Sequence, residues 1–148
     1  MPKDHDPNAG AYEVDVPDDV KKALAVVMDT DVSEIRVIAN SKWANFLSYI
    51  TEIFSGIFGN PRWIVATTQR NTIYLNSRVS PEAFFKDHEL VLHEYYHVVH
   101  QWNNGRMGNI SYLLSPDKWE AEAHNFADIN RSRYSSKLNY LRGRKNGK

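Results

Sequence analysis

The 148-residue sequence contains no cysteine. A disulfide framework is excluded, and any metal ion the chain binds must be held by histidines and carboxylates. Long apolar runs are scarce too. The longest, Phe46 to Phe58, is interrupted by Glu52 and falls short of the roughly 20 residues a membrane-spanning helix requires. Net charge is absent, because 18 Lys and Arg balance 18 Asp and Glu. No overall field therefore draws in nucleic acid or an anionic membrane. There is no internal repeat and no low-complexity segment. Met1 to Asp6 are polar, with no apolar h-region. No secretory signal peptide is expected on this reading, which gives a cytoplasmic chain or one exported by a signal-peptide-independent route.

What is present is ordinary for a soluble globular chain: 42% hydrophobic and 24% charged residues, in a length that suits one domain with its own core. We expect a single domain over residues 1–148, with a loose segment at 1–12 and a basic tail at 135–148. Charge is unevenly spread. Asp4, Asp6, Glu13, Asp15, Asp18 and Asp19 crowd the first twenty residues, whereas from Arg131 onward the charged residues are seven Lys or Arg and no acid. A solvated basic tail is the plain reading; a weak contact with an acidic partner is the other.

Pro17, Asp18 and Asp19 open a helix through Met28, with acids in its first turn and Val20, Leu24 and Val27 on one face. Alternation from Ser33 to Ala39 reads as a strand. Ser41 to Phe58 carries apolar residues at three- and four-residue spacing, an amphipathic helix for core packing, or else for a lid or a partner groove, since so aromatic a face also suits peptide binding. Trp63 to Thr68 and Thr72 to Asn76 form a hairpin around Gln69, Arg70 and Asn71. Ser80 caps a helix that starts at Pro81 and keeps its periodicity to Trp102. Ser115 and Pro116 open a last helix carrying Trp119 to Ile129. Helices and strands are segregated, so the expected class is α+β.

Within the third long helix, residues 93–97 read His-Glu-Tyr-Tyr-His. This is the HExxH spacing. At 100° per residue His97 lies one turn from His93 and about 40° round the helix, so both imidazoles can reach one tetrahedral ion. Glu94 lies about 100° round from His93, placed to miss the ion and act on the water it activates. Val91, Tyr95, Val98 and Trp102 form an apolar stripe on the opposite side. A catalytic zinc site needs a third protein ligand. A further His after a glycine turn is absent, since the next glycine is Gly105. His100 sits roughly 10 Å along the helix from His93, too far to share the ion, and reads as a cleft-lining or surface residue. The last helix offers Glu120, which shares a face with Ala123, His124 and Ala127, and Glu122, which points about 200° away.

The HExxH helix followed by the Glu-x-Glu-Ala-x-x-Phe-Ala run at 120–127 resembles the gluzincins, zinc peptidases whose third ligand is a glutamate on a following helix. In that family the first Glu of a Glu-x-x-x-Asp pattern binds zinc and the residue four later orients a ligand histidine. The resemblance implies a zinc ligand at Glu120, and it sets His124 where the family has Asp or Asn. Over about residues 30–130 the order of elements is also similar to a small bacterial branch of zincin-like domains, often found beside toxin or secretion modules. The implied fold is a minimal zincin-like domain, a small antiparallel or mixed sheet packed on the HExxH helix and a C-terminal helix.

The activity this implies is zinc-dependent hydrolysis of peptide bonds in a peptide or protein substrate, with His93, His97 and Glu120 on Zn2+ and Glu94 as general base. Tyr112 is taken as the oxyanion donor, with Tyr96 and His124 as alternatives. The rival reading is a non-catalytic, zinc-stabilised binding or scaffolding domain associated with a toxin or secretion system. It would be marked by a fourth protein ligand, with Glu120 and His124 both on the metal. Nothing interleaves aromatic and basic residues in the manner of a nucleic-acid binder.

Overall fold

The computed structural model describes residues 10–42, 66–69, 71–102 and 116–145. Over these the chain is a mixed α+β structure: a four-stranded sheet in the order β1-β2-β4-β3, with helices packed on it. The strands are β1 (Tyr12–Glu13), β2 (Arg36–Ala39), β3 (Ala66–Gln69) and β4 (Thr72–Leu75). β1 runs antiparallel to β2, β2 parallel to β4, and β3 antiparallel to β4. The expected hairpin is thus present as β3 and β4, with β3 at the edge of the sheet among the described residues. Alternation decides which side chains reach the core: Val37 and Ala39 of β2, and Ile73 and Leu75 of β4, are fully buried, as the two-residue period of a strand requires.

Helix α1 (Asp18–Met28) begins after Pro17 with two acids in its first turn and ends at Asp29, whose left-handed backbone turns the N–H of Thr30 onto the Ala25 carbonyl at 3.2 Å. Val20, Ala23, Leu24, Val27 and Met28 are its buried face. The helix expected to run unbroken from Pro81 to Trp102 is divided. Helix α2 (Pro81–Lys86) is capped by the Ser80 hydroxyl, which accepts from Ala83 N. Asp87 then leaves helical geometry and its carboxylate accepts from Leu90 N at 3.1 Å, starting α3 (His88–Tyr96). An aspartate that can cap a new helix competes with continuation of the old one. A second departure follows at once, since His97–Trp102 form a π-helical turn.

The last helix, α4 (Pro116–Lys145), is 30 residues long, about 45 Å at 1.5 Å per residue. It extends well past Ile129. The segment read as a basic tail from 135 is helical through Lys145, because Tyr134 and Leu138 continue the buried face begun by Ala123 and Ala127. Its basic residues are partly tied down: Arg142 pairs with Asp19 at 3.1 Å, Arg131 with Glu89 at 3.7 Å, and Arg133 reaches the Val26 carbonyl. Helix α4 packs along α3 and against α1, and β3 lies beside α3 and the π turn. Tyr12, assigned to the loose segment, pairs with Ala39 in β1. The helix expected over Ser41–Phe58 lies, apart from its first two residues, outside the described residues, as does the start of the Trp63–Thr68 strand.

Candidate metal centre

His93 of α3 and His97, the first residue of the π turn that follows it, both face α4, with their Nε2 atoms 3.1 Å apart. From α4, Glu120 brings Oε2 to 2.7 Å from His93 Nε2 and Oε1 to 3.3 Å from His97 Nε2. The small residues around it permit this approach: Ala123 and Ala127 are fully buried between the helices, so the two backbones come close enough for a glutamate to span the gap. Three atoms bound to one tetrahedral ion at about 2.0–2.1 Å would be separated by about 3.3 Å. The two Nε2 atoms, 3.1 Å apart, and the 3.3 Å between Glu120 Oε1 and His97 Nε2 are near that figure, while the other carboxylate oxygen meets His93 Nε2 at a hydrogen-bond distance of 2.7 Å. The donor set, two imidazoles and a carboxylate, is also one that zinc accepts.

Glu94 is only 5% exposed. One of its carboxylate oxygens and ring nitrogens of His93 and His97 all lie within 4.8 Å of one another. Glu94 therefore borders the same point in space from the α3 side, while Glu120 closes it from α4. Burial of His97 by itself would lower its pKa, but the hydrogen bond its ring donates to Glu120 and the charges of Glu94 and Glu120 outweigh it and raise the value to about 9. Burial opposes ionisation of Glu120 as well, and the hydrogen bonds to His93 and His97 overcome it and hold the carboxyl far below the usual range. His93, Glu94 and His97 are, among the described residues, a group whose donor atoms lie close enough together to share a metal ion.

The remaining residues singled out from the sequence are dispersed. Glu122 receives a hydrogen bond from the Tyr96 hydroxyl at 2.5 Å, whereas Glu120 is the glutamate that meets the two imidazoles. The Tyr96 ring lies against Phe126 and His100, with centroids 4.7 and 5.0 Å away. His100 is thus part of an aromatic contact between the π turn and α4. His124 stands outward, its Nδ1 3.4 Å from a Glu89 oxygen, and does not join the cluster. Tyr112 lies outside the described residues. Val91, Tyr95 and Val98 are fully buried as the apolar stripe required, but the histidine face is covered as well: His97 is 4% exposed.

One residue escaped the reading of the sequence. Gln101, fully buried, places Oε1 2.5 Å from His97 Nδ1 and donates from Nε2 to the Trp119 carbonyl at 3.0 Å. Its spacing of four from His97 repeats that of His93 to His97, a signal that was available. The chain matches no family model, no curated protein and no solved structure.

Proposed function

We propose that the chain is a zinc-dependent peptidase with a zincin-like fold, in which His93, His97 and Glu120 hold the metal and Glu94 is the general base. The observation that carries this reading is the single Glu120 carboxylate touching both imidazoles of an HExxH pair. Bound there, zinc would supply a Lewis acid for the scissile carbonyl and lower the pKa of water towards about 7.

The rest is the work of this chain's side chains. His93 and His97 offer Nε2 lone pairs from one helix face, and Glu120 adds a negative charge from the facing helix. Glu94, carried on the same helix between the two histidines, accepts a proton from the attacking water and passes it to the leaving amine. Edge strand β3, beside α3 and the π turn, has backbone groups that an extended substrate can pair with. The scaffolding alternative calls for His124 on the metal, and its contact with Glu89 weighs against that.

The test is metal content by mass spectrometry of the unaltered protein and of His97→Ala, Glu120→Ala and Glu94→Gln, with turnover measured on a fluorogenic peptide library. Near-stoichiometric zinc is expected in the unaltered chain and in Glu94→Gln, and loss in the other two. Glu94→Gln should lower turnover by roughly 10²–10⁴-fold, the usual contribution of a general base. Failure of the unaltered chain to take up zinc would end the peptidase reading.

A further inference from the structure

Gln101 lies in the π turn wholly removed from solvent, where an amide side chain destabilises the fold unless both of its ends are paired. Both are. Its Nε2 donates to the Trp119 carbonyl at 3.0 Å, and its Oε1 meets His97 Nδ1 at 2.5 Å. A backbone carbonyl can only accept a hydrogen bond, so the amide nitrogen must face Trp119 and the amide oxygen must face the imidazole. An amide oxygen also only accepts, so His97 Nδ1 carries a proton. In the neutral ring the lone pair is then left on Nε2, the atom 3.1 Å from His93 Nε2 and 3.3 Å from Glu120 Oε1.

We infer that Gln101 is a positioning residue for the metal centre: the hydrogen-bond polarity set by the Trp119 carbonyl passes through its amide and selects the His97 tautomer that presents Nε2 to a divalent cation. The inference rests on the zinc reading above and extends it to a residue outside the ligand set. It also couples two ligands. Trp119 directly precedes Glu120, so the side chain that orients the ring of His97 is anchored to the backbone that carries the carboxylate. Rotation of the imidazole and the placement of Glu120 across the α3–α4 interface are thereby held by one amide.

Two substitutions separate this role from plain packing. Gln101→Leu has similar length and neither hydrogen bond, whereas Gln101→Glu keeps an acceptor for His97 Nδ1–H and loses the donor to Trp119. Zinc affinity is measured by competition with a chromogenic chelator, and the ring nitrogens of His97 are assigned by 15N NMR on the zinc-loaded chains. The unaltered chain should show Nδ1 protonated and Nε2 shifted by the metal. Gln101→Leu should bind zinc about 10–100-fold more weakly, as is usual when a partner of a ligand histidine is lost. Gln101→Glu should stay close to the unaltered affinity.

Equal weakening in both variants, in step with the melting temperatures of the metal-free proteins, would overturn the inference. So would zinc on His97 Nδ1 of the unaltered chain, a result that decides the matter even if Gln101→Leu does not fold. Tight zinc binding indifferent to both substitutions would sink this role alone. An unaltered chain that binds no zinc would remove the peptidase reading along with it.

Discussion

At His97 a proton and the proposed metal ion would compete for the same ring nitrogen. Its pKa is raised to about 9, because the Glu120 hydrogen bond and the carboxylates of Glu94 and Glu120 outweigh the desolvation that would lower it. The sign of the consequence follows. Below about pH 9 the metal-free ring is protonated, and that proton must leave before Nε2 can bind a cation; above it, no proton is released from this site. Zinc binding near neutral pH is therefore expected to expel about one proton from His97, and the affinity to rise with pH up to that value. Calorimetry in buffers of differing ionisation enthalpy reads the proton count directly. A binding enthalpy independent of buffer near pH 7.5 would contradict this electrostatic account.

At the scale of elements, the breaks in the helices set the site as much as the helices do. Asp87 ends α2 by directing its backbone N–H to Ala83 and Phe84, and starts α3 through its side chain at Leu90 N. Replacing Asp87 with Ala removes the cap and should cost about 1 kcal/mol, typical for a lost N-cap. Urea titration would show it as a lower midpoint at unchanged slope, and a variant as stable as the parent would mean the break is held by packing alone. The helix, the HExxH phase and the apolar stripe on α3 were legible because each is a local periodicity. The break at Asp87 was not, since an aspartate between two helical stretches reads equally as a surface position. The π turn was also hidden, because period-based reading assumes 3.6 residues per turn throughout. The far half of α4 was masked by its Arg and Lys residues. Tyr134, Leu138 and Leu141 do keep the spacing of a buried face, with the first two fully buried.

Across the whole molecule, the sequence placed the two histidines by their helical phase but left Glu120 and Glu122 open, because choosing between them depends on how α4 rotates against α3. That rotation is a packing outcome. Ala123 and Ala127 turn inward, Tyr134 and Leu138 continue the same seam, and the α4 face opposite Tyr96 takes Glu122. The seam matters for stability because His93 belongs to α3, His97 to the π turn that continues it and Glu120 to α4, so an ion bound by all three would bridge the two sides of the seam. Unfolding separates these ligands by more than twenty residues of chain, and the unfolded state binds the ion far more weakly. By mass action, free zinc at 100 times its dissociation constant should stabilise the fold by about 2.7 kcal/mol. For a chain of this size that is a rise in melting temperature on the order of 5–10 °C. Removing zinc with a chelator should reverse it, and Glu120→Ala should melt at nearly one temperature with or without zinc. Equal zinc-dependent rises in the unaltered protein and in Glu120→Ala would show the ion bound elsewhere, and would detach the metal from the α3–α4 seam.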